Sequence, residues 1–204
     1  MKYLEILSYH NTQIVSTADL KTHLKITFSD EDDYIALLEK AAVRRIEEFL
    51  NNFLLSTQLV QYGENFSDLE ILFKGPGLTE EITVSYKDGG NWRVFGTQNS
   101  NIEYVNKINP PRIYLLESST TPTTDDVFQA WKAEYFVGYS SVSNIPNAII
   151  QAIKITVADL YENRQSVIVG KVVSEIPRTA QYLINPFKIQ RLWFQLGVWT
   201  NYVM

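Results

Sequence analysis

Residues 29–54 have the sequence SDEDDYIALLEKAAVRRIEEFLNNFL, which joins an acidic start to a regularly spaced series of apolar side chains. At 100° per residue, these apolar side chains fall within one arc of about 80°. They are Ile35, Leu38, Ala42, Ile46, Phe49 and Phe53, with Lys40, Arg44, Glu47 and Asn51 on the opposite side. The acids at 30–33 are expected to cap the helix, because they oppose the positive end of its dipole. The pattern predicts one long amphipathic helix over residues 30–54.

A shorter helix is predicted before it, from Ser16 to about Leu24. Ser16 can accept a hydrogen bond from the first turn, and Asp19 stands where the acid of a capping box would be. Val15 and Leu20 are spaced so that they can pack against each other across the helix start. Together these signals mark a helix entry.

Two further helices are predicted near the end of the chain. Pro146 occupies a natural first-turn position, and the apolar stripe after it predicts a helix over 146–164. Pro177 similarly precedes a short helix over 179–184. The helix over 146–164 has one apolar face, and we expect it to pack against the long helix.

Residues 58–142 have a different pattern, in which short apolar runs alternate with turn residues. Asp88-Gly89 lies between two of these runs and is typical of a hairpin turn. The runs are Leu69–Phe73, Ile82–Tyr86, Trp92–Phe95, Ile102–Val105, Arg112–Leu116 and Phe128–Val137. These residues predict a small antiparallel β module inserted between helical segments.

The predicted fold class is therefore α+β, a small helical bundle with an inserted β module and an extended C-terminal arm. The predicted divisions are residues 1–57 and 143–187 for the helical core, 58–142 for the inserted module and 188–204 for the arm.

The composition is poor in catalytic groups. The 204 residues include no cysteine and two histidines, which excludes thiol chemistry and leaves little for metal or acid–base chemistry. No phosphate-binding loop, dinucleotide fingerprint or nucleophile elbow is found. No apolar run approaches the roughly 20 residues that span a bilayer. We therefore expect a protein that is not an enzyme, carries no cofactor or metal, and meets no membrane.

Arg164 lies in the middle of the apolar stripe of helix 146–164, near its end. Its stem could pack on the core while its head meets the last carbonyl groups of the helix. Alternatively, it could form an ion pair with an acid of a neighbouring subunit. The sequence leaves both interpretations open.

The last 18 residues, 187–204, combine five large aromatic side chains with two cations and no acid. Such a segment cannot bury all its aromatics against itself, and exposed apolar surface usually marks an interaction site. It could instead fold back on the β module as an edge strand. The candidate binding residues are Phe187, Lys188, Arg191, Trp193, Phe194, Trp199 and Tyr202.

The order of these features resembles the head-tail connector family of tailed bacteriophages, also called adaptor or head-completion proteins, and especially the subgroup with a β insertion. The similarity covers roughly residues 15–188. It is carried by the helix start at 16–24, the acids at 30–33, the strand-and-turn pair 82–90, Tyr135-Phe136-Val137-Gly138-Tyr139, the helix from Ile145-Pro146 to Arg164, and the closing segment 176–187.

This resemblance implies a structural virion protein at the head-tail junction, made in the host cytoplasm. It implies a ring of identical subunits, typically a dodecamer, that docks below the portal protein and extends the DNA channel. A tail-side adaptor or tail-completion protein would bind the other side of the ring, and genomic DNA would pass through without sequence-specific binding. The extension after Lys188 departs from the family pattern, and we expect, apart from the resemblance, that this aromatic arm binds the portal.

Two other functions are open at this point. A β-rich tail or host-attachment module could bind glycan through the aromatic residues of 92–139, without forming a ring. A hydrolase using carboxylates would need a pocket that holds a carboxyl group of raised pKa.

Overall fold

The computed structural model describes residues 3–69, 82–105, 112–164 and 176–189. These residues form two compact units. The helical unit comprises the described residues of Asn11–Leu54 and Ser141–Gln190, and the sheet unit comprises those of Met1–His10 and Leu55–Ser140. The architecture is α+β, as the sequence predicts.

The helical unit is built from α1 (Thr17–Leu24), α2 (Asp32–Leu50), α3 (Asn147–Glu162) and α4 (Arg178–Ile184). α3 packs against each of the other three helices, and α1 also contacts α2. Short 3-10 helices at Val142–Asn144 and Asn185–Phe187 precede α3 and follow α4. Within the described residues, no helix combines the length and the apolar character needed to cross a membrane.

The start of α1 is formed as predicted. The hydroxyl oxygen of Ser16 accepts a hydrogen bond from the amide of Asp19 at 3.1 Å, and Val15 and Leu20 are both buried. Lys25 ends the helix in the left-handed conformation, with φ of 58°. A single left-handed residue closes the helix because it turns the chain away from the helix axis.

α2 ends four residues earlier than predicted, at Leu50 rather than Leu54. Asn51 is left-handed, with φ of 53°, and its amide donates to the carbonyl groups of the last turn. The chain leaves the helix after Asn51, and Phe53 is still buried, at 8% exposed. The apolar periodicity continues past the end of α2 because Phe53, a buried residue after the helix, has the spacing expected of a helical residue.

The expectation that Glu47 lies on the solvent side of α2 is wrong. Its side chain is 5% exposed, and Glu39, two turns earlier, is 2% exposed. Glu47 Oε1 accepts from the amide of Leu54 at 2.8 Å. Glu39 Oε1 accepts from the amides of Ile14 at 2.9 Å and Val15 at 3.2 Å. Both carboxylates therefore hold backbone that is outside α2.

The sheet unit contains seven described strands in the order β1-β2-β7-β3-β4-β5-β6. All neighbouring strands are antiparallel except for a short parallel contact between β4 and β5. The strands are β1 (Tyr3–Ser8), β2 (Thr57–Gly63), β3 (Thr83–Asp88), β4 (Asn91–Gln98), β5 (Asn101–Val105), β6 (Arg112–Leu115) and β7 (Trp131–Val137). The core of this unit lies against one sheet face, where Phe66 and Phe95 contact the ring of Trp131 edge-on.

The predicted hairpin at Asp88-Gly89 is confirmed. β3 and β4 pair through Asp88 and Asn91, and both turn residues have positive φ, 59° at Gly89 and 81° at Gly90. Asp125 secures the turn from outside by accepting hydrogen bonds from both glycine amides. Positive φ at both central positions is the geometry that suits the twist of paired strands.

Sequence analysis missed β1 and β2. β1 belongs to the sheet, so the described residues before Asn11 lie with the sheet unit, whereas the predicted division placed 1–57 with the helices. Of the predicted run 69–73, Leu69 ends a 3-10 helix that starts at Phe66, and the remainder lies outside the described residues. Residues 165–175 also lie outside them.

We expect Gly138→Ala to destabilise the protein by about 1–3 kcal/mol. Gly138 has φ of 100°, and a Cβ there would lie 2.3 Å from the carbonyl oxygen of Leu55. The matched control is Gly89→Asn, because Gly89 has open space around it and asparagine tolerates the left-handed conformation. Chemical denaturation of both variants measures the difference, and equal stability would contradict the proposed role of the close approach.

We expect Glu39→Ala to cost about 1–3 kcal/mol for each of the two amides that lose their acceptor. Glu39→Gln should cost less, because it keeps one acceptor oxygen. Glu48→Ala is the control on the exposed side of the same helix, with an expected change within about 0.5 kcal/mol. Urea unfolding monitored by circular dichroism gives the ranking, which would be refuted by equal costs at 39 and 48.

Candidate interaction sites

Arg164 is the centre of a polar cluster that joins the start of α2 to the end of α3. Its Nη2 atom lies 2.6 Å from Glu31 Oε1, and the hydroxyl group of Tyr161 donates to Glu31 Oε2. The guanidinium lies 4.9 Å from the ring centroids of both Tyr34 and Tyr161. A cation over aromatic rings and beside a carboxylate is held in a defined orientation.

The charges in this cluster stabilise one another. The hydrogen bond from Tyr161 and then the bond from Arg164 hold the pKa of the Glu31 carboxyl below its usual range. The same carboxylate raises the pKa of Arg164 and that of Tyr161. Glu31 is therefore an ionised acceptor at neutral pH.

Neither of the two interpretations of Arg164 anticipated this partner. Its guanidinium group binds an acid of the same chain, 133 residues away. A contact with a neighbouring subunit stays a prediction. Asp32 and Asp33 lie in the first turn of α2, where they oppose the helix dipole as predicted, but Glu31 at the N-cap makes no side-chain capping bond. Glu31 pairs instead with Arg164, and Asp32 also pairs with Lys21 of α1 at 2.7 Å. These two acids connect helices.

The root of the predicted arm is attached to the end of α2. The amide of Ile189 donates to the carbonyl of Leu50 at 2.9 Å, and the side chain of Asn51 donates to the carbonyl of Ile189 at 3.1 Å. Lys188 Nζ lies 4.3 Å from the ring centroid of Phe49. Phe187, the first candidate, is partly exposed in the preceding 3-10 helix.

The other predicted arm residues lie outside the described part of the chain. They are Arg191, Trp193, Phe194, Trp199 and Tyr202.

One aromatic cluster lies on the sheet face opposite the core. The Trp92 ring lies 6.2 Å from the ring of Tyr62 although two strands separate them. The ammonium groups of Lys87 and Lys132 lie 5.2 Å and 4.9 Å from its centroid, and Trp92 is 37% exposed. Among the described residues, no group of three or more histidine, aspartate and glutamate side chains is placed to hold a metal ion.

Comparison with known families gives one match in sequence. Residues 15–75 match the phage gp6-like head-tail connector protein family. The resemblance to the head-tail connector family is confirmed. The matched segment begins at the cap of α1, contains the whole of α2 and β2, and includes Glu31, Glu39 and Glu47. No curated protein sequence matches the chain.

Three solved structures share the fold of this chain over nearly its whole length. They come from the neck of an empty gene transfer agent particle computed with C6 symmetry, the virion of the native particle, and the neck of the native particle computed with C12 symmetry. Each has a TM-score of 0.71 and covers 96% of this chain and 98% of the other, at 18%, 19% and 18% identity respectively. At this identity the likeness is one of fold.

Acidification should remove the contribution of Glu31 to the stability of the helical unit. Because its pKa is lowered on folding, the ionised carboxyl stabilises the folded state above the ordinary range of glutamate, and the gain is lost as the pH falls through the folded pKa. The gap in thermal midpoint between wild type and Glu31→Gln, small because the pair is partly exposed, should shrink on acidification. A control is Glu48→Gln, and a gap independent of pH at Glu31 would contradict the assignment.

Proposed function

We propose that this chain is a structural, non-enzymatic subunit of the head-tail connector, which forms a ring at the neck of the virion and joins the capsid to the tail. The observation that carries the proposal is the family match over residues 15–75. It falls on the two helices whose mutual contacts and buried glutamates organise the helical unit. The likeness in fold to neck proteins supports the same place in a virion.

The ring is the first part of the proposal. Identical subunits with head-to-tail contacts close into a ring when the rotation between them closes. One similar neck was computed with C12 symmetry and another with C6, which supports a dodecamer as the expected number. The surfaces of α2 and α3 would contact neighbouring copies, with Arg164 as a candidate intersubunit residue.

The ring would dock below the portal protein, extend the DNA channel, and bind a tail-side adaptor or tail-completion protein on its other side. The arm after Ile189 would reach the portal through its aromatic and basic side chains. Acids facing the channel would repel DNA phosphate, so that the genome slides through without sequence-specific binding. Assembly would take place in the host cytoplasm.

A separate glycan-binding module is less well supported. The fold likeness extends over 96% of this chain, so the sheet unit belongs to the shared architecture and is not an addition peculiar to this protein. Glu31, whose pKa is lowered, does not provide the raised carboxyl group that a hydrolase would need.

Electron microscopy of the purified protein, alone and mixed with its portal protein, tests the ring. We expect annular particles attached to one face of the portal. A protein that stays monomeric in both samples would overturn the proposal.

Removal of residues 190–204 tests the arm. This truncation keeps Lys188 and Ile189, whose contacts with α2 belong to the folded unit, and should weaken portal binding by at least about tenfold. Trp92→Ala, which removes an exposed tryptophan from the sheet unit, is the control and should leave binding unchanged. Biolayer interferometry with immobilised portal gives both values, and full binding by the truncated chain would exclude the arm as the portal contact.

A further inference from the structure

The solvent side of α2 carries a continuous stripe of exposed residues. Leu37 is 62% exposed, although the next residue, Leu38, belongs to the buried face. At 100° per residue, the exposed positions fall within an arc of about 100°. They are Asp33, Leu37, Lys40, Ala41, Arg44 and Glu48. We call this the α2 stripe. Its centre is apolar, formed by Leu37 and the small side chain of Ala41.

α4 exposes a single large hydrophobic side chain to solvent. Tyr182 is 80% exposed, whereas Ala180 and Ile184 on the same short helix are fully buried. Arg178, one turn earlier, is also exposed. An aromatic side chain with this exposure beside a cation is the type of residue that anchors protein contacts.

The two surfaces fit each other chemically. Ala41 beside Leu37 leaves a shallow apolar depression, and Lys40 and Arg44 border it. A tyrosine ring placed there would bury its apolar faces against Leu37 and meet a cation at its edge or face. The same helical unit already places Arg164 over two tyrosine rings and Lys188 over Phe49.

The charges at the ends are also complementary. Asp33 lies one turn before Leu37, and Glu48 one turn after Arg44. With Tyr182 beside Leu37 and Ala41, Arg178 lies one turn away and can meet Asp33, which is one turn from Leu37. Glu48, about two turns from Ala41, is a second acid at the far end of the stripe. In the described part of the chain, neither Arg178 nor these two acids takes part in an ion pair.

We propose that Tyr182 of one copy packs into the α2 stripe of a neighbouring copy, and that this is a subunit contact of the ring. The inference rests on the proposed function. α2 and α4 pack separately against α3, so the two halves of the contact lie on different elements of each subunit. Such a contact is heterologous, with a knob and a depression on every copy, and it can propagate around a ring.

Disulfide trapping tests the contact, and the chain is suited to it because it contains no cysteine. In the double variant Leu37→Cys with Tyr182→Cys, oxidation should link one chain to the next. A ladder of covalent multimers is expected on a non-reducing gel, because every copy carries both halves. Each single variant is a matched control. It should run as a single chain on the same gel, because its cysteine faces no cysteine of the neighbouring copy.

Two outcomes would overturn the inference. If annular particles form but the double variant gives no ladder, the contact is elsewhere. If a single variant links to itself, the contact is between identical patches and is not head-to-tail.

Point variants give a second measurement that does not depend on disulfide geometry. Tyr182→Ala and Leu37→Asp should each weaken self-association by at least about tenfold, while an equimolar mixture of the two should form dimers through the one intact contact. Tyr114→Ala, at an exposed tyrosine of the sheet unit, is the control. Circular dichroism verifies folding, and sedimentation velocity gives the assembly state.

The same experiment separates this inference from the proposed function. If the wild type forms rings and Tyr182→Ala forms rings of the same stability, the assigned contact is refuted and the proposed function is not. Absence of rings from the wild type, with and without portal, would remove the proposed function and this contact with it.

Discussion

Two glutamates buried on α2 hold backbone that lies outside this helix, one segment just before α1 and one just after α2. Glu39 accepts hydrogen bonds from the amides of Ile14 and Val15, just before α1. Glu47 accepts a hydrogen bond from the amide of Leu54, just after α2. A buried carboxylate is costly unless hydrogen bonds compensate it, and here the donors are backbone groups that would otherwise be buried without acceptors. Each of these hydrogen bonds therefore compensates both the buried carboxylate and a buried backbone amide. The position of α1 and the exit of the chain from α2 both depend on this arrangement.

The remaining polar contacts of the helical unit extend the same principle from backbone to side chains. Glu31 binds Tyr161, in the last turn of α3, and Arg164, just after α3. Asp32 binds Lys21 of α1. The acids at the start of α2 therefore connect it to α1 and to the end of α3. The family match begins at α1 and includes all of α2, so the segment with these contacts is also the one that relates the chain to known connectors.

The predictable parts of this fold are those with a local signal. Helix periodicity located α2 and α3, capping residues located the start of α1, and Asp88-Gly89 located the β3–β4 hairpin, whose two turn residues are Gly89 and Gly90. β2 was not predicted because its neighbouring residues Leu59 and Val60 are both buried. A strand that is covered on both faces lacks the alternation of apolar and polar residues that indicates a strand. Glu39 and Glu47 escaped because a charged residue on a helix is normally solvated, and their donors lie outside the helix. Arg164 was identified as unusual, but its partner is 133 residues away, a separation that local patterns cannot bridge.

The hydrogen bond between Ile189 and Leu50 has a mechanical consequence. The last carbonyl groups of a helix have no partner within it, and here the chain that leads into the arm supplies one. Tension applied to the arm would therefore be transmitted into the end of α2 through backbone hydrogen bonds before it reached α4. This attachment would distribute a load on the arm along α2, the longest helix in the described part of the chain.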